Sequence, residues 1–191
     1  MLKDLILKNR SYRRFYQFEK ISITQLHEWI DLARNSASAR NSQSLKYILS
    51  TDEPLNAQIF EQLSWAGYLT TWKGPDEGER PSAYIVLLND TLITGNYFCD
   101  DGIAMQSILL GATEAGYGGC IIHSVNRNKL RELLNLSEQY DILYVLALGK
   151  PKEIVVLDEL EGDNIKYWRD ENQVHHVPKR ALDEIILEVR R

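Results

Sequence analysis

Three arginines and a serine fall within the six residues RSYRRF, positions 10–15. Guanidiniums this close repel one another unless water solvates them or an anion lies between them. Arg10, Ser11, Arg13 and Arg14 could cradle a phosphate, because planar guanidinium forks match phosphate oxygens and a serine hydroxyl adds a donor. They could equally make a solvated basic turn, and residue type alone leaves both readings open. A second basic pair, Lys179-Arg180, follows Pro178 and precedes an apolar-periodic segment. Two cations ahead of a helix oppose its dipole, which favours an anion nearby.

Other groups suit a polar ring. In SARNSQ, Ser38, Asn41 and Gln43 offer both donors and acceptors for the edge of a heterocycle, although an Asx/Ser-rich loop needs no ligand. GYGGC, residues 116–120, has neither the G-x-G-x-x-G nor the Walker spacing and fails as a phosphate loop. It reads instead as a tight lead into a strand ending at Ile122, His123 and Ser124, whose backbone N–H groups could face a ligand. His123 could donate a proton there or simply be solvated. His175-His176 has no i, i+4 partner and no cysteine beside it, so no metal is expected. Nothing in the spacing supports a Ser-His-Asp or Cys-His arrangement.

The elements that would position these residues follow from periodicity. Leu2–Lys8 reads as a short helix delivering Arg10. Ser22 and Gln25 form a capping box for a helix with Leu26, Trp29, Ile30 and Ala33 on one face. KYILST reads as a strand, and Pro54 opens a helix carrying Leu55, Ile59 and Leu63. The turn-rich TTWKGPDEGERP feeds SAYIVLLND, whose near-continuous apolar run predicts a buried central strand. Residues 96–116 form the longest expected helix, with Asp100 and Asp101 early and Gly116 at its end. GCIIH and ILYVLALG are further strands, with an Asn126-capped helix between them. After Pro151 the chain is polar for almost thirty residues, then closes with an amphipathic helix carrying Leu182, Ile185, Ile186 and Val189.

The 191 residues are 44% hydrophobic and 26% charged, which suits one α+β domain spanning residues 1–191, its helices and strands mixed without strict βαβ alternation. A net charge of −5 argues against nucleic acid, since no broad basic face neutralises phosphates. No apolar run spans a bilayer, so no membrane partner is expected. Met1-Leu2-Lys3 opens no signal peptide, and the two cysteines, Cys99 and Cys120, suggest no disulfide framework, which points to a reducing cytoplasm. The basic residues should therefore form a local pocket for a small anion.

Taken together, these segments resemble the FMN-dependent nitroreductase family. RSYRRF is similar to its opening arginine-serine-x-arginine signature, and SARNSQSLKYIL to its Pro-Ser-x-x-Asn-x-Gln-Pro-Trp segment. DDGIAMQSILLGATEAGYGGCIIHSVN resembles its central helix, glycine turn and short strand. LALGKP and PKRALDEII resemble its late strand and C-terminal pattern. The resemblance implies a layered fold with a central mixed, mainly antiparallel sheet flanked by helices, in an interlocked homodimer with both active sites at the subunit interface. It implies that Arg10, Ser11 and Arg13 contact FMN, Arg10 toward the phosphate and Arg13 toward the pyrimidine side of the ring. Ser38, Asn41 and Gln43 would contact the flavin, partly from the partner subunit. Ile122, His123 and Ser124 would line the N5 region, and Lys179 or Arg180 would complete the phosphate site.

Here the sequence departs from the pattern at Asn9, Ala37, Ser44, Leu45 and His123. No catalytic dyad is needed, because flavin N5 carries the chemistry. The implied activity is NAD(P)H-driven reduction of a small electrophile such as a nitroaromatic or quinone. Rival readings are a dehydrogenase, dehalogenase or flavin-consuming enzyme on the same fold, a non-catalytic flavin carrier, and a plain interaction domain. Tyr68 or Trp72 in the YLTTWKGPDEGER loop would either lid the site or pack in the core.

Overall fold

Alternation of side chains along β3 (Ala83–Asp90) divides the core in two in the computed structural model, which describes residues 1–191. Ile85 and Leu87 join one apolar cluster, while Tyr84, Val86 and Leu88 join the other, as the two-residue repeat of a strand requires. Every residue of β3 is buried, the expected outcome for its unbroken apolar run. β5 (Tyr140–Pro151) pairs antiparallel along one edge of β3 and sends Leu146 and Leu148 to the first cluster, Val145 and Ala147 to the second. β2 (Leu45–Ser50) pairs antiparallel along the other edge of β3. The far side of β5 takes β4 (Gly118–Ile122) and, at Lys150–Pro151, the two-residue β1 (Phe15–Tyr16). All pairings in this five-stranded sheet are antiparallel.

Helices cover both faces. α2 (Ile23–Arg34) and α4 (Asp100–Glu114) pack on the first cluster through Leu26, Trp29, Ala104 and Ile108. The Ser22–Gln25 capping box is formed, satisfying orphan N–H groups at the start of α2. Gly111 lets these helices meet: a Cβ there would lie 2.4 Å from Leu32 Cδ1 and 3.1 Å from Trp29 Cδ1. α3 (Glu53–Phe60) and α5 (Arg127–Leu133) cover the second cluster through Ile59 and Leu130. The short α1 (Leu2–Lys8) lies against α4.

Three expectations are corrected. The central helix begins at Asp100 rather than near residue 96. Thr94 and Asn96 side chains accept the backbone N–H groups of Asn96 and Phe98, offering the chain a local alternative to a helical turn. Leu63 lies beyond α3, in an isolated bridge to Val125. The polar stretch after Pro151, to which periodicity assigned no element, holds a second sheet of β6 (Val155–Glu159), β7 (Trp168–Arg169) and β8 (His175–Lys179), with β6 and β8 parallel. The final amphipathic helix is a single turn, α6 (Leu182–Ile185), and its apolar side chains are exposed. So short a helix has no stability of its own and needs a packing surface, which this chain alone does not supply.

Candidate functional site

The RSYRRF segment runs between the start of β4 and the second sheet. Ser11 bridges to Gly119, and the Tyr12 N–H donates to the Gly119 carbonyl at 3.0 Å. Gly118 permits this approach, because a Cβ there would lie 2.6 Å from the Tyr12 ring. The arginines then separate by role. Arg14 leaves the cluster: it donates to both Glu79 oxygens, at 2.5 and 2.8 Å, and Lys152 donates to the same carboxylate at 2.7 Å. Hydrogen bonds from these two cations pull the Glu79 carboxyl down to about 2. Arg14 is thus structural, neither part of a phosphate cradle nor a solvated turn residue.

Arg10, Ser11, Arg13 and Lys179 line one cavity of about 340 Å³, between the N-terminal segment and the second sheet. Three cations and no carboxylate face it. Arg10 donates from Nη2 to the Ile6 carbonyl at 2.6 Å, while its buried Nε has no partner. Arg180 does not line this cavity and lies 3.8 Å from Glu184. Between the two basic residues, Lys179 is the one that faces the cluster.

A second cavity of about 230 Å³ is lined by Ile122, His123 and Ser124 at the end of β4, together with Trp65, Cys120 and Arg13. Arg13 and Tyr167 line both cavities and form the wall between them. Burial pushes the Cys120 thiol up, so it stays protonated and inert. His123 is exposed and stacks at a tilt against Tyr144, 5.3 Å between ring centroids.

Arg13 is held from three sides. Its guanidinium lies 4.9 Å from the centroid of the Tyr167 ring, Nη1 donates to the Ser11 carbonyl at 3.2 Å, and Nη1 lies 3.3 Å from His175 Nε2. Since an arginine can only donate, His175 Nε2 accepts and its proton sits on Nδ1. Nδ1 finds no hydrogen-bond partner, and the closest carboxylate oxygen, Glu153 Oε1, is 3.8 Å away. Burial, with the neighbouring Arg13 and Arg169 charges, takes the His175 pKa down to about 4. The imidazole is therefore neutral at pH 7, an acceptor rather than a fourth cation.

Glu153 anchors the arrangement. Its wholly buried carboxylate accepts two bonds from Arg169, at 3.1 and 2.5 Å, and one from the Arg13 backbone N–H at 2.8 Å. Arg169 in turn lies 4.1 Å from the centroid of the Trp72 ring, so Trp72 packs under the second sheet. Tyr68 lies over Tyr167, 4.9 Å between centroids, and its N–H donates to the Tyr167 hydroxyl at 3.4 Å. Tyr167, Glu153 and Arg169 were not singled out by sequence reasoning, and His175 was weighed there only as a metal ligand. The only available signal was an aromatic, a histidine and two charges inside a polar stretch, which solvated loops also contain.

Ser38, Asn41 and Gln43 lie elsewhere, around a cavity of about 320 Å³ between α2, β2 and α4. Their loop is pinned to the start of α4: Asp100, buried, accepts from Ser38 Oγ at 2.7 Å and from the Ala39 N–H at 2.8 Å. Arg40, Asn41 and Gln43 all hold positive φ, at 55°, 53° and 51°. Left-handed backbone at three non-glycine residues costs about 1–3 kcal/mol each and persists only where surroundings enforce it. Within one chain this loop does not meet the Arg13 cavities.

Residues 98–150, from just before α4 to the end of β5 and including the glycine turn and β4, match the model of the nitroreductase family. A nitroreductase family protein from Clostridium novyi NT is similar at 26% identity, over 80% of this chain and 87% of that one, with a TM-score of 0.66. A nitroreductase family protein from Streptococcus pneumoniae TIGR4 is 16% identical over 99% of this chain and all of that one, with a TM-score of 0.70. The NADPH:FMN oxidoreductase from Vibrio harveyi, solved in complex with NAD+, is 23% identical over 78% of this chain and 68% of that one, at a TM-score of 0.62. The central segment of the chain thus matches the nitroreductase family model, and its fold is similar along nearly the whole length to solved structures of nitroreductase family proteins.

Proposed function

We propose that the protein is an FMN-dependent oxidoreductase that takes electrons from NAD(P)H and reduces a small aromatic electrophile such as a nitro compound or quinone. The observation that carries this reading is the cavity faced by Arg10, Arg13 and Lys179 with no carboxylate, adjoining one walled by Trp65, Ile122 and Tyr167. That pairing suits a ligand with an anionic group at one end and a flat ring at the other. The orphaned, buried Nε of Arg10 calls for an acceptor that no side chain supplies. The Vibrio harveyi relative, named for FMN and solved with NAD+, supports the choice of cofactor and electron donor.

When bound, FMN would supply the redox chemistry by taking and giving hydride at N5. Arg10, Ser11 and Lys179 would hold the phosphate. Arg13, kept rigid by His175 and Tyr167, would present positive charge to the pyrimidine edge, where negative charge is favoured by a fixed guanidinium. Ile122, His123 and Ser124 would flank the ring. Ser38, Asn41 and Gln43 would serve the site of a second copy, their pre-strained loop reaching across a homodimer interface.

The test is direct. The purified protein should take up one FMN per chain with a flavin absorption spectrum, and NAD(P)H should bleach that spectrum until an electrophile restores it. A protein that stays colourless in excess FMN would sink the reading. One that binds FMN yet is never bleached would be a carrier instead.

A further inference from the structure

On the other side of the sheet's edge, a polar cavity of about 200 Å³ lies between α3 and the start of β3, apart from the cavities that Arg13 lines. Three buried polar atoms of its wall have no partner: Arg80 Nε, Ser82 Oγ and Tyr84 Oη. Ser82 and Tyr84 are 5% and 1% exposed, so bulk water does not satisfy them, and a buried polar group without a partner is destabilising. The Arg80 guanidinium lies 4.2 Å from the centroid of the Phe60 ring. It makes no ion pair, and its neighbour Glu79 is committed to Arg14 and Lys152. Of the other charges on this wall, Lys20 and Glu53 pair with each other at 2.8 Å, and Glu77 is exposed.

The groups left over can all donate. A guanidinium donates only, and burial raises the Tyr84 phenol far above its ordinary range, which keeps it protonated. Asn56 cannot serve as their acceptor, because its carbonyl accepts from Ser50 Oγ at 2.7 Å and its amide donates to the Ser82 carbonyl at 3.0 Å. A fixed guanidinium beside two unpartnered hydroxyls, with the local acids otherwise engaged or exposed, is a site for negative oxygen.

We propose that this cavity is a second binding site, taking a small molecule that presents an oxyanion, carboxylate or phosphate, to Arg80, Ser82 and Tyr84. The site is independent of the flavin reading, since no residue assigned to FMN lines it. It is tested by following the arginine Nε–H signals of the full-length protein by NMR during separate titrations with acetate and inorganic phosphate. The Arg80 signal, assigned by its loss in Arg80→Lys, should shift saturably with at least one of them, and the one that saturates at lower concentration identifies the preferred oxyanion. Tyr84→Phe, which removes only a hydroxyl, should weaken that binding about five-fold, the equivalent of one neutral hydrogen bond. Ser82→Ala should act in the same direction, and Arg10→Ala should leave it unchanged. A shift that never saturates, or one indifferent to both Tyr84→Phe and Ser82→Ala, would mean that the cavity holds only water and overturns the proposal. A response abolished by Arg10→Ala alone would overturn it too, by assigning the anion to the other cavity.

Discussion

Arg10 and Arg13 share a motif but differ in surroundings, and that difference predicts distinct consequences. Arg10 faces only the cationic cavity, whereas Arg13 borders both. Arg10→Ala should weaken FMN binding by about 1.5–3 kcal/mol, the scale of a charged hydrogen bond, with little change in the bound flavin's potential. Arg13→Ala should lower both affinity and potential, because only an interaction that differs between two states shifts their equilibrium. Riboflavin, lacking the phosphate, is the control: its binding should survive Arg10→Ala and fall in Arg13→Ala. Equal potentials in the two FMN-saturated variants would show that Arg13 is not at the ring. His175 supplies a pH prediction. Its folded pKa of about 4 lies below the ordinary 6.5, so the unfolded chain binds the proton more readily between these values. The stability it contributes is full above pH 6.5 and is lost as pH falls toward 4, on the order of 2–3 kcal/mol. Urea unfolding of His175→Gln should show a shallower loss over that window than the parent protein.

Two elements carry the site, and each has a weak point that can be struck separately. The second sheet is fastened to the N-terminal segment by buried Glu153, which binds Arg169 and the Arg13 backbone at once. Glu153→Ala would leave the Arg169 charge buried without a partner, and such losses cost about 3–5 kcal/mol. Chemical denaturation should show a loss of that size, with FMN affinity falling alongside because Tyr167 and His175 no longer brace Arg13. β1 depends on Gly149 of β5, where a Cβ would come within 2.8 to 2.9 Å of three Phe15 atoms. Gly149→Ala must displace a wholly buried ring, so about 1–3 kcal/mol of overpacking is expected. The displaced strand is the one that follows Arg13 and Arg14, so weaker FMN binding should accompany the fall in melting temperature.

At the scale of the molecule, two features are incomplete in one chain. The Ser38–Gln43 loop is strained and tied to Asp100, but it lines a cavity separate from those of Arg13. The C-terminal segment leaves Leu182, Ile185, Leu187 and Val189 exposed. The homodimer proposed above would resolve both, since an isologous interface can bury the tail and bring one copy's loop to the other's site. Light scattering at micromolar concentration should give twice the chain mass. Replacing Leu182, Ile185 and Leu187 together with serine should shift the protein to monomer and release FMN in parallel. A monomer that keeps FMN at unchanged affinity would refute the shared site.

Much of this was legible in the amino-acid order because the causes are local. The unbroken apolar run of SAYIVLLND is a fully buried β3, the Ser22–Gln25 spacing is a formed capping box, and Gly116 ends the central helix with φ 79°. The residues proposed to cradle an anion were also visible, since a guanidinium cluster is a statement of charge density whatever the fold. Tertiary structure alone decided which arginine does what. Arg14 met Glu79, sixty-five positions away, and no local rule links them. Tyr167, His175 and Glu153 acquired meaning only when short, half-exposed strands with weak alternation folded back against residues 10–13. The apolar tail reads as a helix by period, yet period does not supply the surface that a short helix needs to exist.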